Sequence, residues 1–152
     1  MFIAFFLTLQ HDRRKKAAQE KETQRRIIVA IQSELQSNLG EGNQIVRTYG
    51  NPSGIVVVFR TAAYQSAIGG GDLSLLKPEI QNALSNIYTG FRMVERIAEK
   101  MISMLGTETA FQTWGKYRDD VNKMLVDGAK ELQSSIPKTD LLLKDELKRL
   151  GK

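Results

Sequence analysis

Residues 80–105, IQNALSNIYTGFRMVERIAEKMISML, decide the fold. Ile80, Leu84, Ile87, Phe91, Val94, Ala98, Met101 and Leu105 recur at alternating spacings of four and three. This seven-residue apolar repeat predicts a long helix packed lengthwise against other helices. Arg92, Glu95, Arg96, Glu99 and Lys100 take the opposite side and read as a solvated face of mixed sign.

Toward the N-terminus, Pro78 suits the first position of that helix, Lys77 is biased away from helical geometry, and Gly69, Gly70 and Gly71 end whatever precedes them. Residues 55–68 read as a short helix with Val58, Phe59, Ala62, Ala63, Ser66 and Ala67 on a small-residue face. The run IVVVF would also suit a strand, but no second strand-like run exists to pair with it. The stretch GNPSG at 50–54 is a break. Before it, residues 16–49 predict a long helix in which Ile28, Ile31, Leu35, Asn38, Gly42, Ile45 and Tyr49 keep the three-four spacing. Gly40 and Gly42 each cost about 1 kcal/mol against Ala there, which points to a close helix crossing or a kink. Asn38 either fixes register through a buried hydrogen bond or marks a solvated end of the stripe.

Toward the C-terminus, Gly106 closes the central helix and Thr107 caps a fourth, in which Ala110, Trp114, Tyr117, Val121 and Met124 repeat the spacing, joined by Leu125 and Leu132. Trp114 and Tyr117 are expected to be the aromatic anchor of the core. Residues 134–138, around Pro137, read as a linker, and 140–150 as an amphipathic tail with Leu143, Leu147 and Leu150 on one side. The expected fold is all-α, an antiparallel three- to four-helix bundle with a long N-terminal helix and a short C-terminal amphipathic helix. Residues 1–15 form a hydrophobic anchor and basic stop, 16–135 the bundle, and 136–152 the linker and tail. Packing is assigned to Ile31, Leu35, Leu84, Ile87, Phe91, Val94, Trp114, Tyr117 and Val121.

Composition agrees with one folded, mainly helical domain: 152 residues, 41% hydrophobic, 26% charged and three prolines. The absence of cysteine excludes disulfides, thiol catalysis and cysteine-ligated metals. With a single histidine, His11, the chain alone builds no histidine-centred triad, zinc trio or Glu-x-x-His di-iron motif. The net charge of +5 is unevenly placed. Residues 10–26 hold seven basic side chains against three acidic ones, which leaves the remainder nearly balanced.

The N-terminal MFIAFFLTL contains one polar residue, Thr8, and is followed at once by QHDRRKK. Nine helical residues rise about 14 Å, roughly half of a ~30 Å hydrocarbon core, so this run alone does not span a bilayer. A secretory signal places its charges before the apolar run, whereas here they follow, as at the cytoplasmic end of a transmembrane helix. The readings are a span that begins upstream of Met1, a shallow interfacial anchor, or an apolar segment buried in a soluble core or oligomer. In the membrane readings Phe2, Ile3, Phe5, Phe6, Leu7 and Leu9 are the anchor. Arg13, Arg14, Lys15 and Lys16 then meet lipid head groups or another polyanion. Nucleic acid is the weaker partner, because no aromatics are interleaved with the basic residues.

No other constellation carries chemistry. Glu95 and Glu99 share a helix face but read as partners of Arg92 and Arg96, and Asp119 with Asp120 reads as a solvated face. The glycine triplet lacks the Gly-Lys-Ser/Thr ending of a phosphate loop, and Gly40-Glu41-Gly42 lies in a helical context. No cofactor or metal is expected.

A hydrophobic N-terminus with a basic stop, an EL-x-x-N element (Glu34, Leu35, Asn38), an AY-x-S-x-I stretch with G-x-L (Ala63, Tyr64, Ser66, Ile68; Gly71, Leu73) and L-x-x-IY (Leu84, Ile87, Tyr88) follow one another. Over residues 1–105 this pattern resembles small uncharacterised prokaryotic proteins with one membrane span and a cytoplasmic helical bundle. The resemblance implies a topology and no activity. The expected role is a membrane-tethered, non-catalytic interaction or scaffold module whose bulk is cytoplasmic, with a protein partner or a homo-oligomer allowed through the long helices. The alternatives are a soluble helical nucleic-acid-binding or regulatory protein using residues 13–26, and an enzyme with an unrecognised acidic site around Glu95 and Glu99.

Overall fold

The computed structural model describes residues 2–47, 57–105 and 110–151, and of residues 2–9, 104–105, 110–116 and 118 it describes the backbone alone. The fold is the expected all-α bundle with a long N-terminal helix, and no strand occurs among the described residues. Helix α1 spans Phe2–Arg47, α2 Ala62–Gly69, α3 Pro78–Leu105 and α4 Ala110–Leu150, with a single 3-10 turn at Asp72–Leu75.

Side-chain contacts give the directions. Gln32 donates to Asp140 Oδ1 at 2.9 Å and Gln133 donates to Asn43 Oδ1 at 2.7 Å, so α1 and α4 are antiparallel. Lys77 reaches Glu146 at 3.0 Å near one end of α3, and Gly90 lies against Leu132 farther along, so α3 and α4 are antiparallel too. Helices α1 and α3 therefore point the same way, and the chain between them must return. It does so alongside both: Arg60 meets Asn38, Ala63 meets Glu34, and the Leu75 carbonyl accepts from Gln24 Nε2. The cross-section thus has four elements, α1, α4, α3 and the returning segment 57–77.

The repeats that the sequence displays line this interior. Ile80, Leu84, Ile87, Phe91, Val94, Ala98 and Met101 are all buried, as are Ile28, Ile31, Leu35, Asn38 and Ile45 of α1. Burying one such Leu or Ile side chain is worth about 1.5–3 kcal/mol, and truncating it to Ala costs about 2–5 kcal/mol. Helices α3 and α4 approach closely at two glycines. A Cβ on Gly90 would sit 3.0 Å from Leu132 Cδ2, and one on Gly128 would sit 3.0 Å from Val94 Cγ2. Each helix thus presents a bare backbone to a branched side chain of the other.

Helix α4 departs from expectation. The linker expected at 134–138 is helix, Pro137 lies inside it, and 140–150 is the last part of α4 and no separate tail. Pro137 is exposed, so its ring and the backbone hydrogen bond it forfeits fall on the solvent side. The buried seam runs Asn122, Leu125, Ala129, Leu132, Ile136, Thr139, Leu143, Glu146 and Leu150, an unbroken three-four repeat through the proline. The expected stripe through Tyr117 and Met124 is one residue out of register, a rotation of about 100°. Both of those side chains are 52% exposed, so Tyr117 is no core anchor. Val121 is partly buried against the core, while the Trp114 side chain lies outside the described residues.

The second helix is shorter than expected. Residues 57–60 carry no regular structure and alternate in burial, with Val57 and Phe59 inside and Val58 and Arg60 outside. The break at 50–54, Ile55, Gly106 and Thr107 lie outside the described residues. Downstream, α2 ends at the glycine triplet, with Gly71 at φ 73°, a left-handed conformation that an L side chain resists. Helix α3 begins at Pro78 as expected, and the Lys77 carbonyl accepts from the amides of Ile80 and Gln81, each at 3.0 Å.

Candidate functional site

Among the described residues, polar chemistry gathers in a buried cluster that fastens the returning segment, in a second one toward the end of α4, and on the projecting N-terminal part of α1. The first cluster begins with a problem. Residues 57–60 have backbone amides and carbonyls but no helix or sheet to satisfy them, and α2 opens at Thr61 without a side-chain cap of its own. Helices α1 and α3 supply the partners. Asn38 donates to the Arg60 carbonyl at 2.7 Å and accepts from the Arg60 amide at 2.8 Å, while Glu95 accepts from the Phe59 amide at 2.8 Å. Glu34 accepts from the amides of Ala63 at 2.7 Å and Tyr64 at 3.3 Å, so a carboxylate from another helix caps α2 where the helix dipole favours negative charge.

The Tyr88 hydroxyl also donates to Glu34. Its ring stacks on Tyr64 with centroids 3.9 Å apart and meets Phe91 edge-on at 5.2 Å, and Phe91 in turn stacks on Phe59 at 4.5 Å. Burial, then the hydrogen bond to Glu34, pushes the Tyr88 phenol well above its ordinary pKa. Glu34 is 7% exposed and Asn38 fully buried. A carboxylate whose oxygens are taken up by two amides and a phenol is a fastener with no position open to a substrate. Glu34, Asn38, Ala63, Tyr64 and Tyr88, scattered in sequence, thus meet at one place. Glu95 belongs to the same fastening and is half-buried, which corrects its reading as solvated surface and leaves Glu99 on the exposed face with Arg92, Arg96 and Lys100.

A second fastening lies toward the end of α4. Glu146, 2% exposed, accepts from Nη2 and Nε of Arg149, at 2.5 and 2.9 Å, and pairs with Lys77 at 3.0 Å. The Arg149 bonds hold its carboxyl below the usual range, against the effect of burial and helped by Lys77. Asp140 takes Gln32 at 2.9 Å, Gln36 at 3.3 Å and Lys144 at 2.6 Å. Apolar periodicity does not reveal these acids, although Glu146 and Thr139 occupy seam positions of the repeat. Among the described residues no group of three His, Cys, Asp or Glu side chains is placed to hold a metal ion.

The projecting part of α1 is different in kind. Residues 10–22 are exposed at every position, and the helix is continuous from Phe2 into the bundle. The last residues of α4 reach only the level of Arg25, whose guanidinium lies near Gly151. A bare helix of about 20 Å therefore stands out from the bundle. It carries Arg13, Arg14, Lys15 and Lys16, all exposed, at successive steps of about 100° that encircle the axis. Beyond them the backbone of 2–9 is helical, and the side chains of Phe2, Ile3, Phe5, Phe6, Leu7 and Leu9 lie outside the described residues. No helix among the described residues is long and apolar enough to cross a membrane. Comparison with protein-family models, curated proteins and solved structures finds no match for the chain.

Proposed function

We propose that the protein is a membrane-tethered, non-catalytic helical module, held by its N-terminal residues at a bilayer surface with the bundle standing off on a helical stalk. The observation that carries this reading is the basic collar. A helix lying flat in an interface sorts its charges onto one face. A helix passing through the head groups along its own axis meets phosphate on all sides. Arg13 to Lys16 encircle α1 and rise about 6 Å, which matches the roughly 5–8 Å of each interfacial layer outside the hydrocarbon core. Before the collar, beyond Gln10, His11 and Asp12, residues 1–9 are apolar apart from Thr8, and after it the exposed helix leads to a bundle with little net charge.

An apolar run followed by basic residues is also the order expected at the cytoplasmic end of a span, which supports a bundle on the cytoplasmic side. The resemblance to small prokaryotic proteins with one span and a helical bundle points the same way. The fastening of residues 57–64 by Glu34, Asn38 and Glu95 supports a scaffold role, since those polar side chains serve the fold.

Flotation with vesicles tests the reading. The full chain is expected to rise with vesicles containing phosphatidylserine. Changing Arg13, Arg14, Lys15 and Lys16 together to Gln removes about 1 kcal/mol each, so binding falls by roughly a thousandfold at low salt. Deleting residues 1–9 is expected to abolish flotation while leaving the bundle folded. Salt-sensitive binding to nucleic acid that survives this deletion, without flotation of the full chain, would assign the basic segment to a soluble nucleic-acid-binding protein instead.

A further inference from the structure

The outer face between α3 and α4 carries a groove of about 800 Å³ floored by Gly90 and Gly128 and walled by Met93, Met124 and Leu142. Those three wall residues are 59%, 52% and 40% exposed, an unusual concentration of bare apolar length on a helix pair whose other side is packed. Its charged rim is ordered along α4: Asp127 and Glu131 toward one end and Lys138 toward the other. All three are exposed, and none has an ion-pair partner among the described residues.

We infer that this groove takes a second copy of the chain, with the two α4 helices crossing antiparallel about a two-fold axis near residue 133. The pattern on α4 is self-complementary about that point. Reversing the helix brings Leu142 of one copy to the level of Met124 of the other. It brings Ser135 to Glu131, and Lys138 to Gly128, between Asp127 and Glu131. Met124 and Leu142 then cover each other, and Lys138 of one copy lies between the two unpaired acids of the other. Because the interface is two-fold, every such contact occurs twice. A parallel arrangement stacks Asp127 on Asp127 and Lys138 on Lys138. The antiparallel one joins α3 and α4 of both copies into a four-helix arrangement, with glycine and serine allowing close approach.

The two-fold sends the two α1 stalks out at opposite ends. Two chains anchored side by side in one flat membrane cannot pair in this way, whereas chains on facing bilayers can. Taken with the membrane reading, on which this consequence rests, the pair is a bridge between two membrane surfaces.

The chain has no cysteine, which permits a clean test on the 152-residue chain in detergent micelles. Met124→Cys and Leu142→Cys lie 18 positions apart, so in the antiparallel pair each cysteine is about 27 Å from its own symmetry mate and adjacent to the other variant's. A mixture of the two variants is expected to form disulfide-linked dimers on mild oxidation, and neither variant alone to do so. Linkage of either variant alone, or none in the mixture, overturns the pairing. Sedimentation of the unmodified chain provides a second reading, for a single protein monomer in the micelle overturns it as well and leaves the groove to another protein. Asp127→Lys or Lys138→Asp is expected to weaken association about tenfold, and the double variant to restore it. Vesicles containing phosphatidylserine should be clustered by the wild type and not by either single reversal. Disulfide pairing without clustering would overturn the bridging consequence and leave the dimer intact, while the membrane reading stands or falls with flotation of the full chain.

Discussion

The Tyr88 hydroxyl donates to the Glu34 carboxylate in the interior of the bundle, and the same carboxylate caps α2 through the amides of Ala63 and Tyr64. One side chain of α1 therefore ties both α2 and α3. Tyr88→Phe keeps the ring and its stacking on Tyr64 and removes only the donor. The expected loss is about 1–3 kcal/mol, from one buried hydrogen bond to an acid. Glu34→Ala strips three donors at once and is expected to cost roughly 3 kcal/mol or more. Urea unfolding monitored by circular dichroism measures both, and a Glu34→Ala variant as stable as wild type would remove the fastening from the account.

Tyr88 also gives the bundle an alkaline limit. Its folded pKa is raised above the unfolded value of 10.0, so the stabilisation is fully present below pH 10 and is lost as the unfolded phenol ionises. Above that pH, unfolding is favoured by an additional ~1.4 kcal/mol per pH unit from this group alone. Tyr88→Phe should flatten that dependence, starting from lower stability. Denaturation midpoints compared below and above pH 10 check it, and parallel curves for the two proteins would assign the alkaline loss to other groups.

Glu146 sets the opposite limit. Its pKa is lowered from 4.5 by Arg149, with Lys77 assisting, so the stabilisation is present above that value and is lost as pH falls through the folded pKa. Glu146→Gln is expected to cost about 1 kcal/mol at neutral pH, the modest figure reflecting half-exposed cations that stay solvated when the acid is removed. It should also shrink the drop in stability as pH falls below 4.5. A variant that loses stability on acidification as steeply as wild type would count against this acid.

Pro137 offers a direct check on the continuity of α4, since a proline in a linker is harmless and one inside a helix is not. Within α4 it withholds one backbone hydrogen bond from an exposed turn. Pro137→Ala is therefore expected to stabilise the protein, by about 1–3 kcal/mol, with an increase in helical circular dichroism. An unchanged or lowered stability would favour a break at this position.

How much of this could be read beforehand depends on what fills the seams. Helices α1 and α3 have almost wholly apolar stripes, with Asn38 the polar exception on α1, and both were legible from spacing. The seam of α4 places Asn122, Thr139 and Glu146 among nine buried positions. Those polar residues and Pro137 disguise it, which is why Tyr117 and Met124 looked like the better stripe. The returning segment is illegible for a different reason. Its path is fixed by which side chains satisfy its amides, and periodicity contains nothing about such pairing. Only the loose elements around Glu34, Asn38, Tyr64 and Tyr88 marked the residues that meet there. Of the two readings open for Asn38, the structure shows the buried hydrogen bond, and its partner is the Arg60 backbone of the returning segment.

The stalk yields the prediction that bears most directly on function. Residues 10–22 are exposed at every position among the described residues, and an isolated helix of that length is marginal in water. It persists because the bundle has already nucleated α1, so the remaining turns only propagate from it. Amide exchange should therefore be graded: slow around the buried positions 28–45 and progressively faster toward residue 10. On vesicles containing phosphatidylserine, the amides around 13–16 and those before them should become protected, because the head groups hold the collar and the apolar residues leave water. The amides of 17–22 should change little. Protection confined to the bundle, or spread evenly over the stalk as by a helix lying flat, would contradict a helix that enters the surface along its own axis.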